Sequence, residues 1–305
     1  MNVPRVVIAG CGRMGAERTR QASAAGAAIT AFVDSDISRA QTLAAEYPDS
    51  TVHESFRTLQ WLAADALFVC TPPSNHGEAI REALDHGVAV FVEKPLALDL
   101  DEAQSLAASL DAASLLNAVG YMNRHRAGML YARSLLLQCN VIGVHCTWAA
   151  KRYGVPWWSD ATRSGGPFNE QGTHVVDLLR YLAGDIDNVC AFNREQAAVG
   201  AVCEFASGAI GTLLYTCEAP EKDIALHVLT RQGSLHFRSW DFHLTSNTID
   251  GRLFVEPENP FKAEVSGFLK AVRTGDTSGI LSDAQDAART QRIVDIIRHC
   301  RTVPT

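Results

Sequence analysis

What this chain lacks narrows it first. No apolar run approaches the roughly 18 residues that a membrane-spanning helix requires, and Met1-Asn2-Val3-Pro4-Arg5 passes into a strand pattern without the basic segment, apolar stretch and small-residue cleavage site of an export signal. The eight cysteines (Cys11, Cys70, Cys139, Cys146, Cys190, Cys203, Cys217, Cys300) form no C-x-x-C pair. Most sit in apolar patterns, so reduced thiols are expected rather than a disulfide frame or a zinc site. Basic residues are scattered and the net charge is −7, which leaves no footprint for a nucleic acid or an anionic membrane. No internal repeat or low-complexity tract is present. A cytoplasmic location is expected.

What is there can build a sizeable core: 305 residues, 47% of them hydrophobic, a length that suggests roughly two domains. From Arg5 to about Val119, apolar strands alternate with helix-patterned segments, the pattern of a parallel sheet covered on both faces. Val6–Ala9, Ile29–Val33, Leu67–Cys70, Val88–Val92 and Leu115–Val119 read as the buried strands. The segment from Asp99 to Leu110 is apolar at helical spacing, with Asp99 placed to cap it. After Gly120 the grammar changes. A helix near Gly128–Leu137 is followed by a strand near Val141–Ala149, an irregular stretch with Trp157 and Trp158, a helix from Thr173 to Ala183, and several β-runs. Phe205–Ala209 and Thr230–Ser234 look like turns between antiparallel strands. The expected architecture is α/β: a doubly wound domain over 1–119, then an α+β domain over 120–305 with a mostly antiparallel open sheet. The last helix, 283–301, is apolar along one side and must pack on something, the first domain being a candidate.

Gly10-Cys11-Gly12-Arg13-Met14-Gly15 follows the first strand. In a G-x-G-x-x-G turn the first glycine permits the tight turn, the second lets the backbone approach a pyrophosphate, and the third allows close helix packing. Backbone N–H groups near Arg13 and Met14 would hold phosphate oxygens at the positive end of a helix dipole. Three glycines alone could instead make only a tight strand-to-helix turn. Asp34 lies after the second strand, near the roughly 20-residue offset of the acid that binds adenosine ribose hydroxyls. It could instead cap the turn that follows. Its carboxylate should repel a 2′-phosphate, and only Arg39 lies nearby as a cation, so NAD is favoured over NADP. Strand Leu67–Cys70 runs into Thr71-Pro72-Pro73-Ser74-Asn75-His76, at the carboxyl end of the sheet where doubly wound folds bind ligands. Thr71, Pro72, Asn75 and His76 are therefore candidate cofactor contacts, and Asn75 could also cap the next helix. Glu93-Lys94-Pro95 ends another strand and sets an amine beside a possible nicotinamide site. Glu93 and Lys94 join the cofactor candidates, and Lys94 is the first candidate for chemistry; the plainer alternative is a surface lysine after a strand.

These stretches, with Gly120-Tyr121-Met122-Asn123-Arg124 and the run from Gly165-Gly166 through Gly172-Thr173-His174 to Asp177, resemble the glucose-fructose oxidoreductase and inositol dehydrogenase family (Gfo/Idh/MocA) over essentially the whole chain. The resemblance implies an N-terminal Rossmann domain and a C-terminal domain whose sheet covers the nicotinamide. It also implies a homodimer or homotetramer formed through that sheet, and often a cis bond before Pro95. The implied chemistry is reversible hydride transfer between nicotinamide C4 and a secondary alcohol of a sugar, amino sugar or cyclitol. Taking hydride from a CH–OH group requires the hydroxyl proton to leave as well, so a base must reach that oxygen.

By resemblance, Lys94 positions substrate and cofactor ribose, and His174 is the base or acid; taken alone, His174 could be a capping or core histidine. Glu170, four residues earlier, stands where the family commonly has Asp, so its catalytic and substrate contact depends on one extra methylene of reach. Asp177 could receive an imidazole N–H from His174 or be a helix-surface acid. No second closely spaced His or Cys accompanies these three, so no metal is expected. Asn123 is a substrate candidate, but the family often continues with an aromatic and a proline where this chain has His125-Arg126-Ala127, so specificity is expected to differ. Arg152, Tyr153, Trp157, Trp158 and Arg163 could meet a polyol, or the aromatics could simply fill a core. Two further functions fit the same residues: tightly bound NAD used for transient oxidation in glycoside cleavage or epimerisation, and a non-catalytic nucleotide-sensing regulator. Retention of both Lys94 and His174 disfavours the regulator.

Overall fold

The computed structural model describes residues 3–253 and 259–300. In chain order the strands are β1 (Arg5–Ala9), β2 (Ala28–Val33), β3 (Thr51–His53), β4 (Ala66–Val69), β5 (Ala89–Val92), β6 (Asn117–Val119), β7 (Val141–Lys151), β8 (Ile186–Arg194), β9 (Ala198–Phe205), β10 (Ile210–Thr216), β11 (Glu218–Thr230), β12 (Gly233–Arg238) and β13 (His243–Asn247). The helices are α1 (Arg13–Ala24), α2 (Ile37–Ala44), α3 (His76–His86), α4 (Leu100–Ala112), α5 (Ala127–Leu136), α6 (Ala161–Ser164), α7 (Thr173–Ala183), α8 (Pro260–Thr274) and α9 (Ala284–His299). The described residues fall into two compact units, one within Met1–Met122 and Phe261–Ala288, the other within Asn123–Pro260 and Arg289–Thr305. The sequence boundary at 119/120 lies beside the first crossing; the crossing at Pro260/Phe261 has no counterpart in it, and the one at Ala288/Arg289 divides the last helix, which the sequence offered to the first domain as a whole.

In the first unit, six strands form a parallel sheet in the order β3-β2-β1-β4-β5-β6. The order reverses at β1, which puts a crevice at the carboxyl ends of β1 and β4. Because neighbours along a strand point to opposite faces, Val6, Ile8, Phe32, Phe68 and Phe91 build one core with Val265, Phe268 and Leu269 of α8. Phe268 meets Phe68 and Phe91 edge-on at 5.6 and 5.7 Å. Val7, Ala9, Leu67, Val69, Val90 and Val92 build the other core, with α3, α4 and the first turn of α9. The Asp99 cap is as read: its carboxylate accepts the Glu102 N–H at 3.0 Å. Two elements went unread. β3 is a three-residue edge strand, too short to show a buried run, and α8 comes from far along the chain.

The second unit holds a seven-stranded sheet in the order β13-β12-β11-β7-β10-β9-β8. It is mostly antiparallel, but β7 and β10 pair in parallel. One face is covered by α5, α7 and the later part of α9, where Ile293, Val294 and Ile297 enter the core. The helix read as 283–301 runs Ala284–His299, and residue 301 lies outside the described residues. Thr173–Ala183 is helical over the span expected, but a π-helical turn, Phe168–Gly172, precedes it. Among the described residues, no helix is long and apolar enough to cross a membrane.

Candidate active site

In the first unit the glycine loop leaves β1 and enters α1. Gly10 adopts φ +88°, and a Cβ there would lie 2.6 Å from the Cys70 carbonyl carbon and the Thr71 nitrogen. A Cβ at Gly15 would collide with the Gly10 carbonyl oxygen. Gly12 differs: nothing lies within 4 Å of where its Cβ would be, and its φ of −79° suits any residue. Only Gly12 therefore has no internal reason to be glycine, and its open side is where a bulky anion could come against the backbone. The Gly10 N–H donates to the Val33 carbonyl at 2.8 Å, and the Cys11 N–H donates to Asp34 Oδ2 at 2.7 Å. Asp34 Oδ1 accepts the Asp36 N–H at 2.8 Å, so this acid caps the turn after β2 and also braces the loop. Burial and the adjacent Asp34 push the Cys11 thiol up to about 12, so it stays neutral. Arg13 is exposed, Met14 half-buried, and Arg39 is an exposed partner of Asp36 at 3.2 Å.

Two cofactor candidates are buried and bonded within the protein. His76 has no exposed surface, and its ring nitrogens face the carbonyl oxygens of Pro95 (3.0 Å, Nδ1) and Thr71 (2.9 Å, Nε2). It fastens the Thr71–Pro72 loop to the turn after β5 rather than offering itself to a ligand. Glu93 is buried and accepts Arg18 Nε at 2.6 Å, while Glu264 forms an ion pair with Arg18 Nη1 at 2.7 Å. Burial opposes the Arg18 charge, but Glu93 and Glu264 outweigh it and raise its pKa. The guanidinium also lies over Phe91, 4.6 Å from the ring centroid. Arg18 was missed in the sequence; its one signal is an arginine on the buried stripe of α1, between Gly15 and Ala22. Asn75 does not cap α3 with its side chain, which instead accepts from Ser74 Oγ at 2.8 Å. Thr71 and Pro72 are half-buried, as is Lys94, and the Lys94-Pro95 bond is cis.

In the second unit, α7 and the π turn ahead of it carry His174, Glu170 and Asp177 of the sequence's candidates. His174 is largely buried, its ring stacked on Trp148 at 5.9 Å and 12°. Glu170 accepts the Trp158 Nε1–H at 2.7 Å. Asp177 is no surface acid: it is buried, and Arg124 grips it through Nη2 at 2.6 Å and Nε at 3.0 Å, with Thr290 Oγ1 at 3.4 Å. Gln171 Oε1 accepts from the Tyr215 hydroxyl at 3.0 Å. Asn123 is buried and accepts Arg126 Nε at 2.8 Å, and burial lowers Arg126 to about 10. The aromatic and cationic candidates separate. Trp158 is enclosed and meets half-buried Tyr153 edge-on at 5.5 Å, whereas Arg152 is exposed and pairs with Glu218 at 3.0 Å; Arg163 is exposed too. Trp148 and Gln171 were not singled out in the sequence, where they look like ordinary strand and helix residues. Among the described residues, no group of three or more His, Cys, Asp or Glu is placed to hold a metal ion.

Residues 4–121 match the family model for the Gfo/Idh/MocA oxidoreductase NAD-binding Rossmann fold, and residues 140–236 match the model of that family's C-terminal domain. The chain is 27% identical to scyllo-inositol 2-dehydrogenase (NAD(+)) of Bacillus subtilis over 301 residues, covering 90% of this chain and 87% of that one. It is 27% identical to D-xylose 1-dehydrogenase (NADP(+)) 2 of Haloferax volcanii over 292 residues, covering 88% and 87%. Its fold is similar to that of levoglucosan dehydrogenase in complex with NADH, with a TM-score of 0.83 at 18% identity over 97% of this chain and 96% of that one.

Proposed function

The chain belongs to the Gfo/Idh/MocA family of NAD(P)-dependent oxidoreductases, and on that premise we propose that it transfers hydride between NAD and a secondary alcohol or ketone of a sugar, amino sugar or cyclitol. The observation that carries the cofactor half is the loop in which Gly10 and Gly15 are required by packing while Gly12 is open, braced by the acid that ends β2. Gly12, Arg13 and Met14 would hold the pyrophosphate through backbone N–H groups, and Asp34 the adenosine ribose, which favours NAD over NADP. Bound there, the nicotinamide supplies the hydride acceptor or donor.

Lys94 is assigned to positioning the reacting alcohol and the cofactor ribose. His174 is assigned to carrying the hydroxyl proton, with its ring plane held by Trp148. Glu170 is assigned a hydrogen bond to the substrate, and Asn123, Tyr153, Arg152 and Arg163 are the remaining substrate candidates. The same reading carries the homo-oligomer: the outer face of the second sheet holds Phe192, Val202 and Leu214, 71%, 50% and 50% exposed, and a second copy would cover them. Sedimentation of the unmodified protein and of Phe192→Glu tests that contact, which fails if the unmodified chain is a monomer.

The deciding experiment follows NADH absorbance in both directions across sugars and cyclitols, including scyllo-inositol, D-xylose and levoglucosan. Turnover of at least one supports the assignment. No turnover with any sugar or cyclitol, by protein that binds NAD, rejects it in favour of a nucleotide sensor. Cofactor that survives dialysis would move the reading to transient oxidation by resident NAD.

A further inference from the structure

We propose that Trp158 is the positioning residue for Glu170: its indole N–H holds the carboxylate in one orientation and so determines which substrate hydroxyl that carboxylate meets. This inference rests on the oxidoreductase reading above. The sequence offered Trp158 as a stacking surface for a polyol. With 1% of its surface exposed, it has no face to offer. Its one polar atom, Nε1, lies 2.7 Å from Glu170 Oε2, and Glu170 is itself 8% exposed. The contact is a short N–H···O bond to a carboxylate group in an enclosed place, where such bonds are strong and directional.

The surrounding structure explains why such a brace is needed. Glu170 sits in the π turn Phe168–Gly172, so its four-residue offset from His174 is not an α-helical i, i+4 stack. Backbone geometry alone therefore does not aim the two side chains together. The turn is tight: a Cβ on Gly172 would collide with the Phe168 ring, and the Glu170 N–H is tied to the Gly166 carbonyl at 3.1 Å. The backbone of the turn is thus held by its own contacts. A glutamate side chain has several rotatable bonds, and so several orientations to choose among. The Trp158 N–H selects among them by fixing Oε2. Tyr153 packs edge-on to the indole at 5.5 Å and 77°. Trp158 in turn holds Glu170, the residue assigned to the substrate.

The test has a spectroscopic arm and a kinetic arm, both on the full chain. Of the five tryptophans, the one whose indole N–H resonance disappears in Trp158→Phe is identified in a ¹⁵N–¹H spectrum. In Glu170→Gln that resonance should move upfield further than the other four, because an amide oxygen is a weaker acceptor. If it stays in place, the bond is absent in solution and the proposal is overturned. A Trp158→Phe chain that fails to fold does not block this arm, since one of the five peaks must still move in Glu170→Gln. With scyllo-inositol, D-xylose or levoglucosan, whichever is turned over with NAD, Trp158→Phe should lower kcat about 10- to 100-fold, the scale of one hydrogen bond to a charged group. KM for NAD should be unchanged, and adding Glu170→Gln should cost little more. Unchanged kcat in Trp158→Phe, or fully additive losses, overturns the positioning role. If none of the three compounds is turned over by the unmodified protein, the oxidoreductase reading fails on those substrates, while the resonance still decides the Trp158 to Glu170 bond.

Discussion

The Cys11 backbone N–H donates to Asp34 Oδ2 at 2.7 Å, so the acid at the end of β2 and the glycine loop at the end of β1 form one unit. On the proposed reading Asp34 does two things at once, selecting the ribose and holding the loop assigned to the pyrophosphate. Asp34→Ala is predicted to weaken NAD binding by about tenfold or more, the scale of one or two lost hydrogen bonds. It should narrow the advantage over NADP without making NADP a strong ligand, because the loop loses its brace as well. Calorimetric titration with both dinucleotides checks this. Tighter binding of NADP than NAD by the unmodified protein would refute the ribose assignment.

Gly10 and Gly12 should respond in opposite ways. Gly12→Ala adds a methyl group to open space at an allowed φ, so thermal stability should stay within about 0.5 kcal/mol while NAD affinity falls at least tenfold. Gly10→Ala forces a Cβ against the Cys70 carbonyl at φ +88° and should cost about 2 kcal/mol or more. Paired melting curves and NAD titrations separate the two. A Gly12→Ala protein that binds NAD normally would mean that no pyrophosphate approaches this backbone.

Lys94 is assigned to chemistry rather than to cofactor retention. Lys94→Met should lose turnover by about 100-fold or more, the range of a lost catalytic side chain, while NAD still binds through the loop backbone. Single-turnover kinetics beside a fluorescence titration provides the comparison. Near-normal turnover would remove Lys94 from the mechanism.

His76 predicts a pH dependence of stability. Burial lowers its pKa below the ordinary 6.5, against the pull of the Thr71 carbonyl and its neighbours, so the folded protein keeps the ring neutral where the unfolded chain would take up a proton. The unfolded state then binds more protons, and stability is lost as pH falls from about 6.5 toward the lower folded value, at up to about 1.4 kcal/mol per pH unit for one full proton. Below the folded value the loss stops growing. His76→Gln should be less stable at pH 8, having lost the one hydrogen bond that a neutral imidazole donates to these carbonyls, yet show a shallower decline from pH 6.5 downward. Parallel slopes for the two proteins would mean that another group titrates.

Much of this protein could be read from local pattern. Val6–Ala9 and Val88–Val92 are buried on both faces, so they appear as continuous apolar runs with no need of a partner to reveal them. The roles of Gly10 and Gly15 follow from backbone sterics, and the cap at Asp99 from its place ahead of an apolar helix. What could not be read depends on residues meeting across long stretches of chain. Arg18 looks like a surface arginine on a helix until Glu93 and Glu264, 75 and 246 positions later, close on it. His76 and Glu93 sit in motifs that suggest ligand contact, yet burial turned both inward, since a polar group enclosed in a core must find protein partners. Asp177 could have been a helix-surface acid by sequence, but its carboxylate is buried and gripped by Arg124, 53 residues away. The residue types capable of the chemistry were set by the sequence; which of them face a ligand, and which hold the others in place, was decided only when distant segments packed and each buried charge took the nearest partner the fold supplied.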